Sequence, residues 1–209
     1  MLVISNNCVG GYLYNHLDIQ YNNPFIWVRL SYDSIYYIMK NWKTIDWLDY
    51  EFCKSNYKPN TYDIIVEDEV KIHFSHYLFD PTATTIQKDT TFDKSKYDFW
   101  MGDVRYCRIW EFIHEKYLTR TKRMINTPES PIFLIRDDER FVETITSTHT
   151  INELCDLDVP YKRIIMTDNN TLATNNSLCT IIYVKDIYEH PDILVKSNLE
   201  KIKPILEGL

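Results

Sequence analysis

Apolar positions along this chain change rhythm several times, and each change predicts an element. Leu2-Val3-Ile4 is a short apolar run that passes through the polar turn Ser5-Asn6-Asn7 into a stretch opening with Cys8 and Val9, which reads as strand, turn and helix. Asn22-Asn23-Pro24 marks a turn, after which Ser31 or Asp33 can cap a second helix through about Asn41. Tyr62 to Val66 and Val70 to His76 read as two strands joined by the acidic turn around Glu67-Asp68, a hairpin. Residues 78–102 contain Pro81, a Thr-rich run and little periodicity, as in an excursion or lid-like loop. From Asp103 to about Asn126, Tyr106, Ile109, Trp110, Ile113 and Tyr117 recur at helical spacing along one stripe.

The last third alternates short apolar runs with polar ends. Ile132-Phe133-Leu134-Ile135 leads into Arg136-Asp137-Asp138, Ile164-Ile165-Met166 into Thr167-Asp168-Asn169, and Thr180-Ile181-Ile182-Tyr183 into Val184-Lys185-Asp186. Apolar runs of this length suit strands covered on both faces. Thr150-Ile151-Asn152-Glu153 and Ser197-Asn198-Leu199-Glu200 are capping-box patterns, each placing a helix start. The expected fold is therefore α/β: a single three-layer domain over residues 1–209, with a mostly parallel mixed sheet and one antiparallel hairpin.

Length and composition narrow the function classes. A chain of 209 residues is long enough to bury a core as one domain and short for two. Its net charge of −7 disfavours nucleic acid and anionic lipid surfaces, both of which reward a basic footprint. No run approaches the roughly 20 apolar residues that span a bilayer, and the start lacks a basic segment followed by a long apolar one, so a cytoplasmic protein without membrane insertion is expected. Cys8, Cys53, Cys107, Cys155 and Cys179 are scattered without paired spacing. Reduced thiols and no structural zinc are the expectation. The 16 Tyr and 5 Trp suit sugar stacking, although core and rim packing is the commoner role of such residues.

Three motifs carry a resemblance. Ile4-Ser5-Asn6-Asn7-Cys8-Val9-Gly10-Gly11, then Ile72-His73-Phe74-Ser75-His76-Tyr77, then Tyr117 with Arg120 and Arg123 resemble the I-S-N-N-C-W-G-G, I-H-F-x-H-Y and W-x-x-R-x-x-R patterns of a bacterial family known as domain of unknown function nineteen-nineteen. Val9 and Tyr117 stand where that pattern has Trp. Some members are labelled exopolysaccharide-biosynthesis proteins. The resemblance runs from Leu2 to about Asp137 and implies a fold and a cluster of residues rather than a reaction.

Candidate chemistry centres on Cys8. A thiol at the start of a helix sits near the positive end of the dipole, which favours thiolate, and Gly10 and Gly11 suit a tight turn or a ligand close to backbone. A small buried thiol packing the turn is the competing reading. His73 and His76 fall on opposite faces of their strand, so one metal does not easily take both. His73, on the face shared with Lys71, is the preferred base. If the apolar runs form neighbouring parallel strands, Asn6, Asn7 and Cys8 share a sheet edge with Asp137 and Asp168.

One hypothesis follows from that edge: Cys8 attacks an acyl or similar carbon, His73 exchanges the proton, Asp137 or Asp168 orients the imidazole, and N–H groups near Gly10 stabilise the oxyanion. Hydrolysis and acyl transfer both fit. The alternatives are a sugar or sugar-phosphate binding or glycosyl-transfer protein, using Asn6, Asn7, Asp137, Arg120, Arg123 and nearby tyrosines, with Gly10, Gly11 and His76 as further ligand-binding candidates, and a non-catalytic binding module. The expected ligand is an anionic small molecule or saccharide. With no Gly-rich phosphate loop, no cofactor is expected.

Overall fold

The computed structural model describes residues 1–54, 62–74, 103–138 and 147–208. Strand β1 (Val3–Ser5) leads into helix α1 (Val9–His16), followed by α2 (Tyr32–Asn41), and strands β2 (Tyr50–Lys54), β3 (Tyr62–Val66) and β4 (Val70–His73). Helix α3 (Asp103–Ile125), strand β5 (Ile132–Arg136), helix α4 (Ile151–Asp156), strands β6 (Lys162–Thr167) and β7 (Cys179–Tyr183), and helix α5 (Pro191–Glu207) complete it.

The α/β expectation holds, and its sheet resolves into two. Strands β1, β5, β6 and β7 pair in that order, all parallel, while β2, β3 and β4 form a separate antiparallel sheet. The predicted hairpin is β3–β4; β2, which the sequence pattern did not signal, extends it.

Three layers result from alternation within the apolar runs. Val3, Ile132, Leu134, Ile164 and Met166 point to a core under α1 and α5, with Val9, Leu13, Leu194 and Ile202. Their neighbours Leu2, Ile4, Phe133, Ile135 and Ile165 face the opposite core, shared with Ile35 and Ile38 of α2, Tyr117 of α3, Leu154 of α4 and Ile64, Val66 and Ile72 of the antiparallel sheet. Every position in β5 is buried for this reason.

Strand β1 lies at the edge of its sheet, where unpaired backbone groups are a liability. Tyr14 and Asn23 cover it: Val3 N–H donates to the Tyr14 hydroxyl at 3.0 Å, and the Asn23 amide donates to Val3 O at 3.0 Å. The Thr150 capping box is present with both reciprocal bonds. The Ser197 one is not a helix start. Helix α5 begins six residues earlier, at Pro191, with the His190 ring accepting from Asp192 N–H, and Ser197 sits inside it donating back to Ile193 O at 2.8 Å. The lid-like segment at 78–102, and the α3 stripe before residue 114, lie outside the described residues and side chains. Among the described residues, no helix is long and apolar enough to cross a membrane.

Candidate functional site

Parallel pairing of β1, β5 and β6 brings the segments that follow them, 6–8, 137–138 and 168–169, to one sheet edge. Asn6 makes the first junction. Its amide donates to Arg136 O at 2.9 Å and its carbonyl accepts from Arg136 N–H at 3.0 Å, continuing the β1–β5 ladder by one side-chain rung. Leu30 N–H donates to Asn6 O at 2.9 Å from the other side. Asn6 was expected to meet a ligand, and its amide is instead occupied by backbone.

Asn7 acts as the helix cap. Its Oδ1 accepts from Val9 N–H at 3.0 Å, so Cys8 occupies the N-cap position in helical conformation (φ −63°, ψ −11°) without a capping bond from its own side chain. Gly10 and Gly11 have a packing reason. A Cβ on Gly10 would lie 2.7 Å from Ser5 Cβ, and one on Gly11 would lie 2.6 Å from the Trp27 ring. Trp27 has φ +64°, a backbone conformation L residues rarely adopt, which turns the chain so that its indole lies against α1.

Two guanidinium groups act on Cys8. Burial pushes its thiol up to about 11, and the charges of Arg29 and Arg136 work against that rise without cancelling it. Burial thus works against the thiolate expected from the helix dipole, at a thiol that is partly buried. Arg136 is fixed by Nε donating to Ile187 O at 2.8 Å, Nη2 donating to Glu189 O at 3.2 Å, and an ion pair with Asp138 at 3.3 Å.

Arg29 also connects Cys8 to the second sheet. Its backbone pairs with His73 in both directions, at 2.9 and 3.0 Å, while its neighbour Leu30 pairs with Asn6. Segment 29–30 thus lies as a strand between the loop carrying Cys8 and strand β4. His73 Nδ1 is 2.5 Å from Asp63 Oδ1, with both side chains buried, and Lys71 Nζ is 3.1 Å from Asp63 Oδ2. Burial would raise the Asp63 carboxyl; hydrogen bonds and charge from His73 and Lys71 outweigh it and hold the carboxyl below its ordinary range. Cross-strand register sets Cys53, Asp63, His73 and Arg29 in one row.

The acid paired with His73 is therefore Asp63, not Asp137 or Asp168. Asp137 is held by Tyr32, whose hydroxyl donates at 3.0 Å, and Thr167, whose hydroxyl donates at 2.7 Å. Asp168 is exposed. Arg120 and Arg123 reach the loop after α1: Arg120 donates to Ile26 O at 3.2 Å and its guanidinium lies 5.4 Å from the Tyr21 ring centre, and Arg123 donates to Tyr21 O at 3.0 Å. Tyr117 is buried and donates to Trp47 O at 2.9 Å, which places this aromatic in the core. His76 lies outside the described residues.

Arg29, Asp63 and Arg136 were missing from the sequence-based set. Asp63 was within reach, because counting back from the turn at Glu67-Asp68 places it opposite His73. Arg29 had no periodicity to mark it. Among the described residues, no group of three His, Cys, Asp or Glu side chains is arranged to hold a metal ion.

Residues 1–89 match the model of a family described as Domain of unknown function (DUF1919). The match takes in Cys8, Arg29, Asp63 and His73 and ends before helix α3, so it is shorter than the motif resemblance, which reached Asp137. No curated protein matches the chain.

Proposed function

We propose that the edge around Cys8 binds an anionic small molecule of the sugar-phosphate class. The observation that carries this reading is that the positive charges of Arg29 and Arg136 both act on Cys8, the N-cap residue of α1. A helix start presents N–H donors and a partial positive charge, and two guanidinium groups add the charge and planar donors that suit phosphate or carboxylate. A cleft of about 850 Å³ along the end of β7 and α5 begins at Glu189, whose carbonyl also holds Arg136, and is lined by polar Lys185, Asp186, Asn198 and Lys201. Its size suits a sugar-containing ligand. The exopolysaccharide labels attached to the resembling family agree with a cytoplasmic step of surface-polysaccharide production.

Thermal shift against sugar phosphates, nucleotide sugars and matched neutral sugars tests the proposal. Anionic members should raise the melting temperature and neutral ones should not, with Arg29→Gln losing the response while its far-ultraviolet spectrum stays native. Equal responses to charged and neutral sugars, or none, would overturn it.

The buried Asp63–His73 pair favours a second reading, in which the site also exchanges protons during acyl transfer from Cys8. A carboxylate on Nδ1 fixes the imidazole tautomer and leaves Nε2 as the working nitrogen. Incubation with acyl thioesters followed by intact mass should then show an acyl adduct on Cys8. An unmodified Cys8 alongside retained anion binding would leave the binding reading standing alone.

A further inference from the structure

At the opposite end of the parallel sheet, the guanidinium of Arg163 is fully buried, and among the described residues none of its three nitrogens meets an oxygen acceptor. Guanidinium stays protonated under any physiological condition, and an ion removed from water needs a counter-charge. The residue across from Arg163 on β7 is Cys179. Cys155, at the end of α4, lies in the same buried core, and the two thiols interact.

This neighbourhood is held by backbone. Thr174 donates to Cys155 O at 3.3 Å and to Asp156 at 2.8 Å, and the Asn176 amide donates to Leu157 O at 3.0 Å. Cys179 N–H then donates to Asn176 O at 3.0 Å. Loop 174–176 is thereby stapled to the end of α4, which brings together two cysteines 24 positions apart in sequence. Both cysteines are buried, Cys155 fully and Cys179 with 8% of its surface exposed.

We propose that Cys179 and Cys155 form a redox-active dithiol under Arg163, with a peroxide as the oxidant, Cys179 as the attacking sulfur and Cys155 as the resolving one. The Cys179 thiolate displaces hydroxide from hydrogen peroxide, forming an S–O bond and breaking O–O. The Cys155 thiol then attacks that sulfur, and hydroxide leaves and takes up the Cys155 proton as water. In total two thiols and one peroxide become one disulfide and two waters. Arg163 stabilises the thiolate and the oxygen charge that develops on the leaving group. The interaction with Cys155, followed by the Arg163 charge, draws the Cys179 thiol below its ordinary range despite burial.

The test treats the native full-length chain with one to five equivalents of hydrogen peroxide, then alkylates under denaturing conditions and maps peptides by mass. The expected product is a Cys155–Cys179 disulfide, 2 Da lighter and reversible by dithiothreitol, formed before any change at Cys8 or Cys53. In Cys155→Ser, dimedone should label Cys179 as the trapped sulfenic acid. Arg163→Lys should slow oxidation about tenfold, and wild-type mapping remains decisive should that variant fail to fold. Oxidation that begins at Cys8 or Cys53, or both Cys155 and Cys179 remaining alkylatable, would overturn the proposal.

Discussion

Asp63 and His73 face each other across the β3–β4 pair, Oδ1 to Nδ1 at 2.5 Å, with Lys71 on the second carboxylate oxygen at 3.1 Å. Removing the carboxylate leaves a buried imidazole and a nearby ammonium without their acceptor. Asp63→Ala should therefore cost about 3 kcal/mol in urea unfolding at pH 7, the scale of breaking a buried ion pair by deleting one partner. Because the folded carboxyl is held low, its contribution is complete above the unfolded value of about 4 and is lost as pH falls through the folded value. Wild type and variant should accordingly converge in stability below pH 4; a constant gap down to pH 2 would contradict the assignment.

A second acid-sensitive clasp joins α2 to the segment before α4. Burial raises the Asp33 carboxyl, but hydrogen bonds from Thr148, His149 and Ser147 outweigh it and bring it to about 2. The contribution is present above about pH 4 and disappears as pH falls through 2. Since Asp33 is 33% exposed, solvent screening reduces its worth to about 1 kcal/mol. Asp33→Asn should lower the urea midpoint at pH 6 and leave the unfolding curve unchanged near pH 2.

Close approach explains the paired glycines, and alanine substitution separates this from a ligand role. Gly11→Ala places a methyl 2.6 Å from the Trp27 ring, which cannot swing away without disturbing its left-handed backbone. A loss of about 2 kcal/mol is expected, within the usual range for overpacking, with a change in indole fluorescence. Full stability in Gly11→Ala would return the glycine to a ligand-contact role.

Cys8 should be slow to alkylate at neutral pH. With its thiol raised to about 11 by burial, the rate should climb about tenfold per pH unit from 7 to 10 rather than level off. Arg29→Gln should slow it further, because one of the two charges that oppose the rise is gone. A plateau below pH 8 in iodoacetamide kinetics would restore the activated thiolate.

Arg120 and Arg123 should differ. Arg120 is half-buried and holds Ile26 O, so Arg120→Gln should lower stability by about 1.5 kcal/mol, the low end for a hydrogen bond from a charged group. Arg123 is exposed, and Arg123→Gln should leave thermal melting within a degree of wild type.

The sequence by itself determined most of the elements, though not β2, the division into two sheets or the start of α5. Apolar runs at 132–135 and 164–166 became parallel strands buried on both faces, and the run at 180–183 became the partly exposed edge strand beside them. The turn at Glu67-Asp68 and the Thr150 capping box were legible because each depends on residues a few positions apart. Even the shared edge of Asn6, Asn7, Cys8, Asp137 and Asp168 followed once the strands were taken as parallel neighbours. What each side chain does there was decided by tertiary contacts. Asn6 pairs with a backbone 130 residues away, Asp137 with Tyr32 and Thr167, and Arg29 stands between Cys8 and His73 because an irregular loop runs as a strand between two sheets. Helix position alone assigns Cys8 a low pKa, while the surrounding core assigns it a high one. Local pattern encodes which face of an element is apolar; charge, desolvation and hydrogen-bond partnership depend on groups that meet only when the chain folds.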